Sequence, residues 1–318
     1  MEEVAMVRCG VWKPRTRPGG FEGLGETALK WLAELRKDGQ RKPVCCEVAR
    51  PEHVELCLKY GVEAVWIGAR TSSDPFSVEE VAQALQGTSL SVMVKNPIAA
   101  DVNLWQGAIE RLAKAGVEHV AAIHRGFYIY RDSCPYRNNP MWEVPIELRR
   151  RMPSVPLLCD PSHMGGDRKY IATLMQAAAD MGYDGYMIEA HPNPTAALTD
   201  KMQQVDFATL RQLLRNTVMK HEADPADERL ARLRRQIDTI DEMLIKTLRE
   251  RMDISEKIAE LKAEANMSTY QPKRWEQVMT ERTKLAAKAG LNTDFVKTLY
   301  EKIHAESVRI QETKIKNR

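Results

Sequence analysis

A histidine and two carboxylates stand at His163, Glu189 and Asp200, 26 and 11 positions apart, in LLCDPSHMGG and, after a helical interval, YMIEAHPNPTAALTD. His163 follows an apolar run at residues 155–158, and Glu189 ends a second run, YDGYMIE. Both are therefore expected at the C-terminal ends of strands, with Asp200 in a loop beyond. In a parallel α/β protein chemistry is assembled at those ends, because successive loops converge there while the strands hold them rigid. One imidazole nitrogen and two carboxylate oxygens suit a divalent cation such as manganese, iron or zinc better than calcium. The competing reading is a satisfied structural histidine with two unrelated surface acids.

A second group of residues is cationic. Arg8 and Lys13 flank one β-rich run, and Arg70, Lys95 and Arg125 close three others as GAR, VKN and HRG. One such residue carries no information, since surface cations commonly lie along apolar walls. Five converging on one mouth would repel each other unless polyanions sat among them, which points to phosphate and carboxylate substrates.

The elements that must position these groups come in a regular rhythm. Seven β-rich runs, at residues 4–12, 43–49, 64–70, 91–96, 119–125, 156–160 and 183–189, alternate with amphipathic helical stretches. That is the pattern of βα units around a parallel sheet. A (β/α)8 TIM barrel closes with eight strands, so one is missing, and an unclosed barrel leaves two bare edges. Past residue 214 the composition changes: RNTVMKHEADPADE is polar and aperiodic and reads as a linker. From residue 227 to 264 there is no Gly or Pro, and Leu230, Leu233, Ile237, Ile240, Leu244, Leu248 and Met252 recur at three- and four-residue steps. A helix of that length implies a bundle or coiled-coil partner. Pro272 opens a second helix that Gly290 ends, and NTDF at 292–295 caps a third. The expected division is a barrel domain over 1–216, a linker over 217–226 and an all-helical domain over 227–318.

The 318 residues suffice for both, and 43% hydrophobic content supports a real core. A net charge of +3, from 47 basic and 44 acidic residues mixed along the chain, offers no basic stripe for nucleic acid. Six cysteines without CxxC spacing suggest free thiols in a reducing cytoplasm. No apolar run approaches the roughly 18 residues of a membrane span, and no export signal opens the chain.

With DPSH, then Glu189 followed by HPNP, then the TD pair ending at Asp200, residues 4 to 215 resemble 3-deoxy-D-arabino-heptulosonate 7-phosphate (DAHP) synthase of the short, I-beta type. The resemblance implies condensation of phosphoenolpyruvate with erythrose 4-phosphate. It implies that His163, Glu189 and Asp200 hold a divalent metal, with a cysteine from a GPC motif on the first strand; that motif is absent. Met1 stands where the second strand should begin, so the chain is expected to be truncated upstream or its barrel closed by something else. Arg8, Lys13, Arg70, Lys95 and Arg125 would grip phosphoenolpyruvate, Lys13 with a catalytic role. Arg15 and Thr16 of the KPRT motif would take the sugar phosphate. Cys9 is a poor substitute for the missing thiolate, because alternation turns it towards the helices if Arg8 and Gly10 face the mouth.

The last segment is similar to the all-helical chorismate mutases, through LRRQIDTIDEMLIKTLRERM at 233–252, ELK at 260–262, YQPKRWEQV at 270–278 and ESVRIQ at 306–311. The resemblance implies cofactor-free conversion of chorismate to prephenate, with Arg251, Lys262 and Gln311 catalytic and Arg234, Arg274, Gln271 and Ser307 binding substrate. Gln271 departs from an aspartate common in that family, though an amide can still accept a hydrogen bond. The chemistry suits the residues: an intramolecular rearrangement needs clamped carboxylates and a stabilised ether oxygen, not a nucleophile. Arg234 and Lys262 are 28 residues apart, about 42 Å along one helix at about 1.5 Å per residue. Arg234 is therefore expected to serve a partner's pocket in an intertwined homodimer. The whole then reads as a bifunctional enzyme of the shikimate pathway. The alternative is a live mutase carrying an impaired barrel as a regulatory or docking module; a related phosphosugar aldolase is disfavoured by the KPRT loop beside DPSH.

Overall fold

The computed structural model describes residues 4–14, 19–37, 42–130, 134–218 and 228–316, without the side chains of residues 36, 37, 228–233, 235, 236 and 239. The chain divides into two compact units, residues 1–222 and 223–318.

In the first unit seven parallel strands follow one another in chain order: β1 (Val7–Cys9), β2 (Val44–Val48), β3 (Ala64–Ile67), β4 (Ser91–Lys95), β5 (Val120–His124), β6 (Leu157–Cys159) and β7 (Gly185–Tyr186). The helices between them are α1 (Glu26–Lys37), α2 (Pro51–Lys59), α3 (Pro75–Leu85), α4 (Val102–Lys114), α5 (Glu143–Arg151), the short α6 (Pro161–Gly165) and α7 (Ile171–Asp180), and α8 (Phe207–Asn216) follows β7. Aspartates start several of them. Asp74, Asp101 and Asp206 each accept backbone N–H groups of the first turn, and Pro75 fits the first helical position, where no N–H is needed.

Side chains alternate across the strands, so each strand feeds two layers. Val44, Cys46, Val48, Val65 and Ile67 pack outward against helices. Cys45, Ala64, Trp66, Ile123 and Met187 meet inside, together with Met6, Met93 and Leu158. Residues from the first strand region to the last can share one inner cluster only if the sheet curls round, as a barrel does. Among the described residues no ladder joins β1 to β7. These two strands are also shorter than their apolar runs, 4–12 and 183–189, suggest. Each has a neighbour on one side only, so half of its backbone groups lack the pairing that extends a strand.

Among its described residues the second unit forms three helices, α9 (Glu228–Glu264), α10 (Pro272–Lys288) and α11 (Thr293–Lys316). Their limits follow the signals read from sequence. Pro272 opens α10, Gly290 takes the left-handed turn after it at φ 70°, and Asn292 Oδ1 accepts from the backbone of Asp294 and Phe295, both at 2.9 Å. α11 packs against both α9 and α10. Ile237, Ile240, Leu244 and Ile245 on the N-terminal half of α9 stay exposed, as do Leu261, Leu285 and Phe295. Among the described residues of this unit nothing covers this apolar surface. Among the described residues no helix is long and apolar enough to cross a membrane.

Candidate active sites

The C-terminal ends of the strands in the first unit open into one pocket. Arg8, Lys13, Arg70, Lys95, Arg125, His163, Glu189 and Asp200 all line it. The five cations and three candidate ligands, drawn from β1, β4, α6 and the segments that follow β1, β3, β5 and β7, are thus brought together. Arg15 and Thr16 lie outside the described residues. Glu189 stands three residues beyond β7 instead of ending it, and His163 sits within α6.

Asp160, buried completely, organises one wall. Lys95 Nζ donates to its carboxylate at 2.7 Å, His163 Nδ1 lies 2.8 Å from the same Oδ2, and the backbone N–H of His163 donates to Oδ1 at 3.1 Å. Burial works against the Asp160 charge, but His163 and Lys95 prevail and hold the carboxyl well below its usual range. His163 is shifted down, chiefly by burial, so its ring is neutral at neutral pH. With Nδ1 engaged, Nε2 faces Glu189 at 3.9 Å.

The opposite wall is a mixed array of charges. Arg8 lies 3.4 Å from Glu189 and over the face of Trp66 at 4.8 Å. Lys13 Nζ sits between Glu189 and Asp200 at 3.9 and 3.6 Å and donates to Thr199 Oγ1 at 2.7 Å. Burial opposes ionisation of Glu189, yet His163, Arg8 and Lys13 bring its pKa down to about 2. Burial lowers Arg125 to about 10.

Several residues in and behind the pocket wall escaped sequence reasoning. Asn138 accepts from Arg125 at 2.8 Å and donates to the His163 carbonyl at 2.6 Å, tying a cation to a candidate ligand. Arg137 approaches Asp200 at 3.7 Å and donates to Gln203, which itself donates to Glu189 at 2.6 Å. Glu47 reaches the pocket floor beside Gly68, where a Cβ would lie 2.1 Å from Glu47 Oε1. The aspartate of DPSH was the one available signal for this second layer; the others come together only in three dimensions.

The loop carrying Lys13 is fixed by backbone. Lys13 N–H donates to the Glu22 carbonyl at 2.8 Å and Gly25 N–H to that of Val11 at 3.0 Å. Gly23 has φ 94°, and a Cβ on it would lie 2.1 Å from the Val11 carbonyl oxygen, so only glycine fits. Trp12 stacks on His53 of α2 with centroids 4.1 Å apart.

Among the described residues no three His, Cys, Asp or Glu side chains converge closely enough to bind a metal ion as they stand. The Lys13 ammonium lies between the two carboxylates. The donor set nevertheless fits a divalent cation: a neutral imidazole is oriented through its far nitrogen by a buried carboxylate, and two further carboxylates share its pocket. Cys9 packs on the helix side of the sheet, and burial raises its thiol to about 11. Cys159 is buried on that side too, and all six cysteines are free.

In the helical unit a second cluster forms. Arg251 Nη1 donates to Ser307 Oγ, and Lys262 Nζ donates to Gln311 Oε1 at 3.0 Å and to the Thr269 carbonyl at 2.5 Å. Ser307 and Gln311 are buried, and burial lowers both Arg251 and Lys262. Gln271 stands at the N-cap position of α10 without a side-chain capping hydrogen bond, and it lines a shallow cavity with Lys262. Arg274 and Arg234 are exposed and not drawn into the cluster.

Comparison with known proteins finds a different family over each of the two units. The model of the DAHP synthetase I family matches residues 2–223, and that of chorismate mutase type II matches residues 233–312. A phospho-2-dehydro-3-deoxyheptonate aldolase of Thermotoga maritima is 29% identical over 70% of this chain and 62% of its own length. A crystal structure of DAHP synthase from the same organism superposes with a TM-score of 0.59 at 27% identity, covering 67% of this chain and 60% of that one. A 4-amino-4-deoxychorismate mutase of Streptomyces venezuelae is 34% identical over 26% of this chain and 81% of its own length. The chain spans about three fifths of the length of the Thermotoga proteins. By the extent of the first match the chain belongs to the DAHP synthetase I family, and it carries a chorismate mutase type II domain behind that part.

Proposed function

We propose that the chain is a bifunctional enzyme of aromatic biosynthesis, condensing phosphoenolpyruvate with erythrose 4-phosphate on the barrel and rearranging chorismate to prephenate on the helices. The observation that carries the first half is the convergence of Arg8, Lys13, Arg70, Lys95 and Arg125 on one pocket with His163, Glu189 and Asp200. Two anionic substrates match that excess of fixed positive charge. Arg70, Lys95 and Arg125 hold the phosphate and carboxylate of phosphoenolpyruvate. Lys13, lodged between Glu189 and Asp200, orients the reacting end; Arg15 and Thr16 take the sugar phosphate. His163, Glu189 and Asp200 would hold a divalent metal, which when bound supplies a Lewis acid to the sugar aldehyde.

On the helices, Arg251 clamps a substrate carboxylate while Lys262 and the Gln311 amide donate to the ether oxygen as its bond breaks. Arg274 and Gln271 complete the pocket from α10. Arg234 reaches the pocket of a second copy, since about 42 Å of helix separates it from Lys262, and the exposed apolar face of α9 is the surface such a dimer covers. The protein acts in the cytoplasm on small molecules.

A second reading is favoured by the placement of Cys9 on the helix side of its strand. Without a thiolate in the pocket, the barrel serves the mutase as a regulatory or docking module. The relative from Streptomyces venezuelae adds 4-amino-4-deoxychorismate as a second substrate to try. Assays of both activities on residues 1–318, with manganese present, decide the matter. Turnover of both reactions supports the bifunctional reading, mutase turnover alone supports the second, and neither would overturn both.

A further inference from the structure

Arg137 and Asn138 belong to no motif read from the sequence, yet between them they reach all three candidate metal ligands. Asn138 Nδ2 donates to the His163 carbonyl at 2.6 Å. Arg137 lies 3.7 Å from Asp200 and donates to Gln203 at 3.1 Å, and Gln203 donates in turn to Glu189 at 2.6 Å. This segment is wedged in place from both sides. Its N–H groups donate to carbonyls at the end of α6, Arg137 to Gly165 at 3.2 Å and Asn138 to Met164 at 3.0 Å. Asn139 exchanges two backbone hydrogen bonds with Phe127, at 2.8 and 2.9 Å. Gly126, at φ 78°, lets the two backbones approach, since a Cβ there would lie 2.8 Å from the Asn138 carbonyl oxygen.

The other end of the Asn138 amide faces the cations of the pocket. Its Oδ1 accepts from Arg125 Nη1 at 2.8 Å, and the residue is only 3% exposed. Turning this amide over would set a donor against the guanidinium and an acceptor against the His163 carbonyl, so its orientation is fixed by both partners together. The amide is planar, and its two ends cannot move independently. We propose that Asn138 is a positioning residue that couples the two halves of the barrel site. An anion seated on Arg125 fixes the guanidinium and, through the amide, the turn of α6 that carries His163, so the ordering that metal binding needs is already supplied. Whichever ligand arrives first bears that ordering, and the second then binds more tightly. Asp160 joins Lys95 to the His163 ring as a parallel route, so a remainder of coupling survives without Asn138.

This inference rests on the reading of the barrel as a metal-assisted condensing enzyme, and the test separates the two. In the full chain, Mn2+ affinity is measured by calorimetry with and without saturating phosphoenolpyruvate, in the wild type, Asn138→Ala and Asn138→Asp. The aspartate keeps an acceptor for Arg125 and lacks the donor to the His163 carbonyl. The expected wild-type ratio of the two dissociation constants is about tenfold, and both variants should bring it to about threefold or less. A merely structural role would weaken each ligand and leave that ratio alone. A wild-type ratio near one, or variants that keep the wild-type ratio, overturns the proposal while leaving the condensing enzyme intact. A wild type that fails to bind Mn2+ or phosphoenolpyruvate overturns that reading and this inference with it. Should neither variant fold, the wild-type protein answers alone: with metal removed by a chelator, hydrogen exchange of the α6 amides must slow when phosphoenolpyruvate is added, and unchanged exchange refutes the coupling.

Discussion

Replacing Asp160 by asparagine tests whether the buried carboxylate holds the barrel site together. Asp160 has no exposed surface and Lys95 is 5% exposed, so the Lys95 ammonium would be left buried against a neutral amide. Breaking a buried ion pair by removing one partner costs about 3–5 kcal/mol. For a unit of this size each kcal/mol lowers the midpoint by about 2–4 °C, so the barrel transition should fall by roughly 6–20 °C. Calorimetry and urea denaturation would follow it, with the helical signal as a separate probe. Lys95→Met gives the other single variant, and the pair combined should cost clearly less than the sum, since no uncompensated charge remains. A single-variant cost below about 1 kcal/mol, the range of exposed pairs, or simple additivity would refute the reasoning.

Three further outcomes are expected. His124 is fully buried and its pKa is pushed down to about 3 by burial, below the unfolded value, so its contribution is complete above about pH 6.5 and lost as pH falls towards the folded value. His124→Phe should therefore remove about 2 kcal/mol of the stability loss between pH 6.5 and pH 5, and denaturant titrations at both pH values with unchanged differences would show otherwise. Mixing inactive Arg234→Ala with inactive Lys262→Ala subunits should restore mutase activity through one intact site per heterodimer; absence of rescue would sink the intertwined dimer. Finally, the Lys13 ammonium competes for the space between Glu189 and Asp200, so Lys13→Met should bind Mn2+ more tightly than wild type in calorimetric titration, and weaker binding would contradict the ligand assignment.

The periodic features were legible in the sequence because periodicity is a local record of burial. All seven strand runs became strands, and the Gly- and Pro-free stretch of heptad-like leucines and isoleucines became one helix of 37 residues. Where a strand stops was less legible, as β1 and β7 show, because pairing depends on neighbours far along the chain. Motif spacing placed His163, Glu189 and Asp200 in one pocket but said nothing of the lysine between the carboxylates. Asn138 and Arg137 were invisible for a different reason. They stand in an aperiodic loop, and their value lies in contacts with His163, 25 residues on, and Gln203, 66 residues on. Arg274 shows the converse, since its motif is clear while its side chain lies exposed, outside the cluster that its neighbours on the helices form.

Gly23 has an evolutionary consequence. It has no functional group and lines neither pocket, yet any side chain there would drive into the Val11 carbonyl and displace the loop that delivers Lys13. A saturation mutagenesis scan scored by growth would rank position 23 beside the chemically active residues, and drift among descendants of this chain should leave it fixed. Any lineage that relaxes it must first rebuild residues 11–13, and with them the placement of the lysine. Immobility of that glycine across relatives would then mark a barrel still under selection for catalysis, whereas its decay would date the moment when the barrel was released from that work.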